Sequence, residues 1–329
     1  MDFRRAALER WLGAQLPGTR FALAPASEDA SFRRYFRATL EDGRSFVVMD
    51  APPAQEDCGP FLRVAALFAR AGVHVPAVHA AAPGEGFVLL EDLGRETYLE
   101  RLSASSAAGL YGAATEALVR IQAAGRAGEL PEYDRALLER ELRLFPDWYV
   151  ARELGRALAP ADSRTLEEAF GRILANNLAQ PRVHVHRDYH SRNLMTCRPA
   201  PGILDFQDAV YGPVTYDLVS LLRDAYVSWE EERVLDWTVR YWETARRAGV
   251  PVDPDFGAFY RDFEWMGVQR QLKVAGIFAR LAHRDGKRRY LEDIPRVLGY
   301  LLAACRRYRE LGPLASLVER LGEPAAQRT

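Results

Sequence analysis

The stretch VHVHRDYHSRNLM, residues 183–195, decides how this chain is interpreted, together with ILDFQDAVYGP at residues 203–213. The first stretch contains the pattern H-R-D-x-x-x-x-N, which ends at Asn193, and in the second Asp205 follows an apolar, strand-like run. In-line transfer of a phosphoryl group to a hydroxyl needs a carboxylate that accepts the proton and two oxygen ligands that hold magnesium against the phosphates. Asp188 is therefore predicted to be the base, with Asn193 and Asp205 as the metal ligands.

The same residues have simpler interpretations. An N-cap or a solvated carboxylate is the alternative for Asp188 and Asp205, and the joint pattern of loop, amide and second acid argues against it. His186 is expected to pack beneath the loop and to bond to backbone rather than to touch a substrate.

The pattern of the chain changes near residue 103. Between about residues 21 and 90 the apolar runs are short and strand-like, with a hairpin turn at EDGR (41–44) and one helical insertion at 56–72. Beyond residue 103 the runs have helical spacing over several turns. We therefore predict an α+β, two-lobe fold: a small antiparallel-sheet lobe, residues 1–94, and a mainly helical lobe, residues 95–329.

The composition limits the partners. The formal net charge is −1 and 48% of the residues are hydrophobic, which does not favour a nucleic acid partner. No apolar run is long enough for a membrane span, and the apolar positions of the first 16 residues predict an amphipathic helix. Three widely spaced cysteines indicate ordinary thiols in a reducing, cytoplasmic setting. A small-molecule partner is expected, and the oligomeric state is not predicted.

Several blocks, among them EDASFRRYFR, LLEDLG, HRDYHSRNLM and VQRQLKVAGIFARLAHRDGK, are spread from residue 28 to residue 287. Through them the chain resembles the aminoglycoside and choline phosphotransferase branch of the protein-kinase-like fold. More narrowly, it is similar to the bacterial N-acetylmuramate/N-acetylglucosamine anomeric kinases of peptidoglycan recycling. This resemblance implies Mg²⁺ and ATP as the donor and the C1 hydroxyl of an amino sugar as the acceptor.

The resemblance also assigns roles to single residues. It implies that LLEDLG is the connector between lobes, with the backbone of Glu91 and Leu93 contacting adenine; a surface turn after a strand is the alternative. It further implies that Asp217 braces the catalytic loop through backbone amides. His190 matches the second histidine of the family pattern H-x-D-x-H-x-x-N.

One expected group is missing. Kinases use a strand lysine, paired with a helix glutamate, to neutralise the α- and β-phosphates. Here Met49 occupies the equivalent position, and the only lysines of the chain are Lys273 and Lys287. The segment SEDASFRRYF, residues 27–36, offers Ser31 for nucleotide binding, and Arg33 or Arg34 as a substitute cation. We favour Arg34, with a solvated strand arginine as the alternative. Glu56 is the candidate helix glutamate, with an ordinary exposed first-turn acid as the alternative.

The acceptor needs polar groups for its hydroxyls and amide and an aromatic face for its ring. The candidates for these contacts are His190, Gln207, Asp208, Glu141, Trp148, Arg270 and Lys273. Arg270 and Lys273, three residues apart on one helix, are positioned to meet the carboxylate of an N-acetylmuramate lactyl group. Core packing of Trp148 and a solvated basic face for the two cations are the alternatives.

Two other functions remain open from the sequence. The first is phosphotransfer to another small hydroxyl compound such as an aminoglycoside, choline or homoserine. The basic VQRQLK segment argues against an aminoglycoside, because a polycationic acceptor needs an acidic pocket. The second is a nucleotide-binding pseudokinase scaffold, suggested by the missing lysine. The presence together of Asp188, Asn193 and Asp205 argues against a scaffold.

Overall fold

The computed structural model describes residues 3–27 and 32–323. The chain packs as two compact units. One consists of the chain up to Ser106 together with Arg192–Asp208, and the other of Ala107–Ser191 together with the chain from Ala209 onward. The first is built around strands and the second around helices, which confirms the α+β class. A functional division at residue 94 stays a prediction.

The first unit contains a five-stranded antiparallel sheet in the order β1-β2-β3-β5-β4. The elements up to Ser106 are α1 (Phe3–Gln15), β1 (Phe21–Ser27), β2 (Arg34–Leu40), β3 (Ser45–Asp50), α2 (Gly59–Arg70), β4 (Val78–Ala82), β5 (Phe87–Glu91) and α3 (Tyr98–Arg101). The predicted hairpin joins β2 to β3, where Gly43 has a φ of 86° that other residues resist. The predicted helical insertion is α2.

Helix α1 covers one face of this sheet, as the N-terminal apolar pattern predicts. The buried core between them comprises Leu8, Leu12, Phe36, Ala38, Val48, Phe87 and Leu89. Side chains alternate along a strand, and residues directly opposite in an antiparallel pair share a face. Phe36 and Val48 therefore mark the α1 face, whereas Tyr35 and Met49, also paired in register, lie on the opposite face.

The chain from Ala107 to Ser191 is mainly helical. It forms α4 (Ala107–Ala124), α5 (Arg135–Leu144), a π-helical segment (Phe145–Glu153), α6 (Pro160–Ala179) and β6 (Arg182–Val185). The helical spacing beyond residue 103 did not indicate a change of helix type between α5 and the π-helical segment. Pro146 has no N–H for an α-helical bond to Leu142, and beyond it the Leu154 N–H donates to the Tyr149 carbonyl, five residues back.

Residues 192–208 belong to the first unit and form a short hairpin of β7 (Leu194–Met195) and β8 (Gly202–Ile203). Bridges from His74 to Gly202 and from Thr97 to Met195 attach this hairpin to the rest of the unit.

The second unit is completed by the chain after Ala209. Its elements are β9 (Val210–Pro213), α7 (Tyr216–Leu222), α8 (Glu231–Arg247), α9 (Phe256–Arg284), α10 (Ile294–Arg307) and α11 (Gly312–Gly322), with 3₁₀ turns at Arg288–Asp293 and Arg309–Leu311. Strand β9 pairs with β6.

Helix α9 is the central element of the helical unit, with 29 residues, and most of its C-terminal half is buried. A Cβ atom at Gly276 would lie 2.3 Å from the Leu144 carbonyl carbon, so glycine lets this helix approach the backbone where α5 meets the π-helical segment. The helices of residues 3–27 and 32–323 include none with the length and apolar character that a bilayer crossing requires.

Candidate active site

The β7–β8 hairpin brings the two predicted metal ligands together. Asn193 precedes β7 and Asp205 follows β8, so both leave the same end of the hairpin, where the Leu204 N–H donates to the Asn193 carbonyl at 2.9 Å. The Asn193 side-chain nitrogen lies 3.4 Å from Asp205 Oδ2. Rotation of the amide presents its oxygen beside the carboxylate. An amide oxygen and a carboxylate are ligands that magnesium accepts.

Asp205 is held in an uncommon conformation. Its φ is 61°, in the left-handed region that L-residues rarely occupy. Gln207 donates a hydrogen bond to Asp205 Oδ1 at 2.8 Å. Phe206 is fully buried and packs against Phe61 and Phe68 of α2, with ring centroids 4.9 and 6.0 Å away. Aromatic packing on one side and the amide on the other therefore fix the direction of the carboxylate.

In the helical unit, the loop after β6 is fastened by Asp217 at the start of α7. The carboxylate of Asp217 accepts hydrogen bonds from the backbone N–H groups of His186, at 2.6 Å, and Arg187, at 3.0 Å. Arg187 has a φ of 78°, which the loop maintains through these bonds. Burial raises the pKa of Asp217 to about 7, although the two backbone bonds act in the opposite direction. This is the bracing contact that the resemblance implied.

The carboxylate of Asp188 lies in a positive environment within the helical unit. The groups that lower its pKa most are Lys273, His190, Arg187 and Arg270. Burial alone raises the pKa of Asp188, but these groups outweigh burial and hold the pKa below its ordinary value. Asp188 is therefore ionised at neutral pH and able to accept a hydrogen bond from a hydroxyl group.

Behind the loop, Glu141 of α5 is the centre of a buried charge network. Its Oε1 lies 2.5 Å from Arg187 Nη2 and 3.0 Å from Lys273 Nζ. Tyr133 and Gln269 donate hydrogen bonds to its other oxygen. Burial raises the pKa of Glu141, yet Lys273 and Arg187 prevail and lower it, while Glu141 raises the pKa of Lys273 against burial. Both shifts favour the charged pair.

A model of the phosphotransferase enzyme family (APH) matches residues 22–252. The chain belongs to this family. Two relatives named N-acetylmuramate/N-acetylglucosamine kinase confirm the narrower resemblance. The one from Neisseria meningitidis serogroup B is 53% identical over 97% of both chains, and the one from Pseudomonas aeruginosa is 51% identical over 98% of both.

The fold agrees with this membership. A choline/ethanolamine kinase family protein from Mesorhizobium loti superimposes with a TM-score of 0.59 at 16% identity, over 96% of this chain and 99% of the other. At this identity the likeness shows the fold alone, and it confirms the kinase-like architecture expected from the sequence.

Among the predicted acceptor contacts of the phosphotransferase, Glu141 and Lys273 contact each other. Lys273 Nζ also donates to the Tyr216 hydroxyl at 2.8 Å, and both charged side chains are about 6% exposed. These contacts favour positioning of the loop through Arg187, and acceptor contacts by Glu141 and Lys273 stay predictions. Arg270 differs: it is 3% exposed, and its Nε and Nη1 have no hydrogen-bond acceptor among residues 3–27 and 32–323.

The other predicted acceptor residues lie in different settings. His190 is half-buried and packs edge-on against Tyr226, with ring centroids 5.5 Å apart. Trp148 is half-buried in the π-helical segment, and Asp208 is exposed. Gln207 donates a hydrogen bond to Asp205, and an acceptor contact by Gln207 stays a prediction. Acceptor contacts by His190, Trp148 and Asp208 stay predictions.

On the nucleotide side, Leu93 is buried and the Glu91 side chain binds His74 at 3.1 Å, and their backbone contacts with adenine stay predictions. Ser31 lies outside the described residues. Arg34 forms an ion pair with Asp50 at 2.6 Å and lies over the ring of Phe36, on the α1 face of the sheet. That placement removes the reason for preferring Arg34 as the substitute cation.

Sequence reasoning missed two positioning residues. Arg187, inside the motif itself, links the loop to Glu141. Asp224 accepts hydrogen bonds from the Ser191 backbone N–H at 2.9 Å and its hydroxyl at 2.5 Å, which fixes the following part of the loop. For Asp224 the available signal was an acidic residue two positions after the apolar run YDLVSLL, although a buried role was not evident from spacing.

Proposed function

We propose that the protein is an ATP-dependent kinase that phosphorylates the C1 hydroxyl of N-acetylmuramate, N-acetylglucosamine or both. The product is the sugar 1-phosphate, used in cell-wall recycling. The observation that carries the proposal is the Asp188 carboxylate, kept ionised by surrounding cations in a loop fastened by Asp217. The choice of acceptor is supported by relatives with this kinase name that are more than half identical over nearly their whole length.

In the proposed reaction Asp188 orients the sugar hydroxyl and accepts its proton. The hydroxyl oxygen forms a bond to the γ-phosphorus while the bond from that phosphorus to the bridging oxygen breaks, and ADP leaves with that electron pair. The transition state of phosphoryl transfer is loose, so the hydroxyl needs orientation more than strong activation. A carboxylate with a lowered pKa meets that need.

Asn193 and Asp205 would hold magnesium, which neutralises the phosphate charge during transfer. Within the described part of the chain, no group of three or more His, Cys, Asp or Glu side chains is arranged to hold a metal ion. A site with one amide and one carboxylate suits magnesium, because this ion keeps several water ligands and binds substrate phosphates. The bond from Gln207 and the packing of Phe206 hold the segment that would supply the Asp205 ligand.

Arg270 is the cation that we assign to the lactyl carboxylate of N-acetylmuramate. It is close enough to lower the pKa of Asp188, and two of its nitrogen atoms have no acceptor in the described residues. A buried guanidinium without a partner is costly, and a planar carboxylate satisfies its paired N–H groups. N-acetylglucosamine has no such group, so Arg270 would favour N-acetylmuramate between the two sugars.

The cysteines are consistent with a cytoplasmic enzyme. Cys58, Cys197 and Cys305 are free thiols, and burial raises the pKa of each. Thiols persist in a reducing compartment. We therefore place the proposed reaction in the cytoplasm.

The test measures ADP release by the purified protein with ATP and a panel of N-acetylmuramate, N-acetylglucosamine, kanamycin, choline and homoserine, with and without magnesium. Methyl N-acetylglucosaminide, whose C1 oxygen is blocked, is the matched control. Turnover with either free sugar, none with the glycoside and a 1-phosphate product in the ³¹P spectrum are the expected results. Turnover with the glycoside contradicts transfer to C1. Turnover with kanamycin, choline or homoserine, and with neither sugar, contradicts an amino sugar as the acceptor.

A further inference from the structure

The first unit contains no lysine, and its strand β3 offers no cation at the position where the kinase resemblance leads one to expect it. Met49 is fully buried there and is paired in register with Tyr35, on the face of the sheet opposite α1. Arg34 points to the α1 face, where Asp50 neutralises it. Because side chains alternate along the chain entering β2, its neighbour Arg33 belongs to the side of Tyr35 and Met49.

Arg33 is held on that side by an acid. Its Nε lies 3.6 Å from Glu56 Oε2, and the two side chains are 12% and 20% exposed. Glu56 precedes α2, the helix whose Phe61 and Phe68 pack on Phe206. The segment from Glu56 through α2 therefore connects the acid beside Arg33 with the aromatic packing beside Asp205.

The charges agree with this placement. Burial lowers the pKa of Arg33, but Tyr35, Glu56 and Asp205 raise it above its ordinary value. The guanidinium is thus within electrostatic reach of the carboxylate to which we assign magnesium. A nucleotide triphosphate beside that metal carries several negative charges, and a guanidinium binds phosphate oxygens through two parallel hydrogen bonds.

We propose that Arg33, oriented by Glu56, contacts the phosphates of the nucleotide and replaces the cation that β3 lacks. This inference rests on the proposed kinase function. In kinases a strand lysine pairs with a helix glutamate. Here the corresponding pair would be Arg33, just before β2, and Glu56, just before α2.

The test compares Arg33→Gln, Glu56→Gln and their combination in binding of Mg-ADP, measured by calorimetry, and in the KM for ATP. Arg33→Gln is expected to weaken Mg-ADP binding and to raise the KM for ATP, each by ~10- to 100-fold, which is the scale of a lost charge-assisted contact. Thermal stability is measured for each variant. Glu56→Gln should change the binding and the KM less, and the double variant should match Arg33→Gln because the two residues act together. Arg44→Gln, in the exposed β2–β3 turn, is the matched control and should change neither.

Normal Mg-ADP binding by Arg33→Gln, or a loss found in Arg34→Gln instead, overturns the inference. Additive effects of the Arg33 and Glu56 changes overturn the orienting role of the acid. If Arg33→Gln does not fold, Arg33→Lys keeps the charge without the guanidinium fork, and unchanged Mg-ADP binding by it would contradict a bidentate contact. Mg-ADP binding requires no sugar, so a wrong acceptor in the proposed function leaves this result readable.

Discussion

Replacing Glu141 by glutamine removes the negative charge from the network behind the catalytic loop while preserving its volume. In the protein Glu141 meets Lys273 and Arg187 at 3.0 and 2.5 Å, and the side chains of Glu141 and Lys273 are each about 6% exposed. In the variant the buried Lys273 ammonium keeps the Tyr216 hydroxyl but meets a neutral amide in place of the carboxylate. Arg187 loses the partner that fixes its side chain next to Asp188.

The expected cost follows from this burial. Removing one member of a buried ion pair destabilises a protein by about 3–5 kcal/mol, because the remaining charge stays desolvated. Glu139, two residues earlier, pairs with Arg143 at 3.2 Å, but the two side chains are 42% and 39% exposed. Exposed pairs of this type contribute about 0.3–0.5 kcal/mol. Glu139→Gln is therefore a control on the same helix with the same chemical change.

Urea unfolding near neutral pH is the measurement, because both members of the pair are charged there. The pKa of Glu141 is lower in the folded than in the unfolded chain, so Glu141 stabilises the protein above its unfolded pKa, and this stability is lost as the pH falls. The pKa of Lys273 is raised by folding, so its contribution to stability is lost only when the pH rises through the folded pKa of Lys273. Glu141→Gln with Lys273→Met should cost at least ~1 kcal/mol less than the sum of the single changes. A Glu141→Gln variant as stable as Glu139→Gln would refute the network.

Three further outcomes are expected. Asp188→Asn should lower turnover by ~10²–10⁴ while Mg-ADP affinity is retained, since the change removes the base and leaves the metal ligands; unchanged turnover would eliminate the mechanism. Folded Asp217, with a pKa of about 7, keeps a proton that the unfolded chain has released. The free energy of unfolding of the wild type, relative to that of Asp217→Asn, should therefore fall by about 2–3 kcal/mol between about pH 5 and pH 8. A difference in urea unfolding that does not change with pH would contradict this. Arg270→Gln should raise the KM for N-acetylmuramate ~10-fold more than that for N-acetylglucosamine; equal changes would assign the guanidinium to loop packing.

The elements of the fold were accessible from sequence because their signals are local. Gly43 within EDGR, the apolar spacing of α2 and the long helical runs after residue 103 each specify an element without reference to the rest of the chain. The join between α5 and the π-helical segment was not predicted, because Pro146 permits either a kink or a change of helix type and local spacing does not decide between them.

Single positions of the candidate site were harder to predict because the partner of a charge is set by tertiary contacts. Arg33 and Arg34 are chemically identical neighbours, and only the positions of α1 and Asp50 show on which face of the sheet each side chain lies. Lys273 and Arg270 share a face of α9 by spacing, yet Glu141 binds the first, while two nitrogen atoms of the second have no acceptor in the described chain. Alternation and helical period give the direction of a side chain, not what it meets.

The scarcity of lysine has a practical consequence for labelling. Acyl-phosphate nucleotide reagents identify kinases by acylating a lysine beside the bound phosphates, and no lysine precedes residue 273 in this chain. Lys273 is enclosed by Glu141 and Tyr216, which leaves the partly exposed Lys287 as the reactive side-chain amine among the described residues. A survey of kinases by amine acylation would therefore overlook this enzyme, whereas a single fluorophore can be attached at Lys287 with few competing sites.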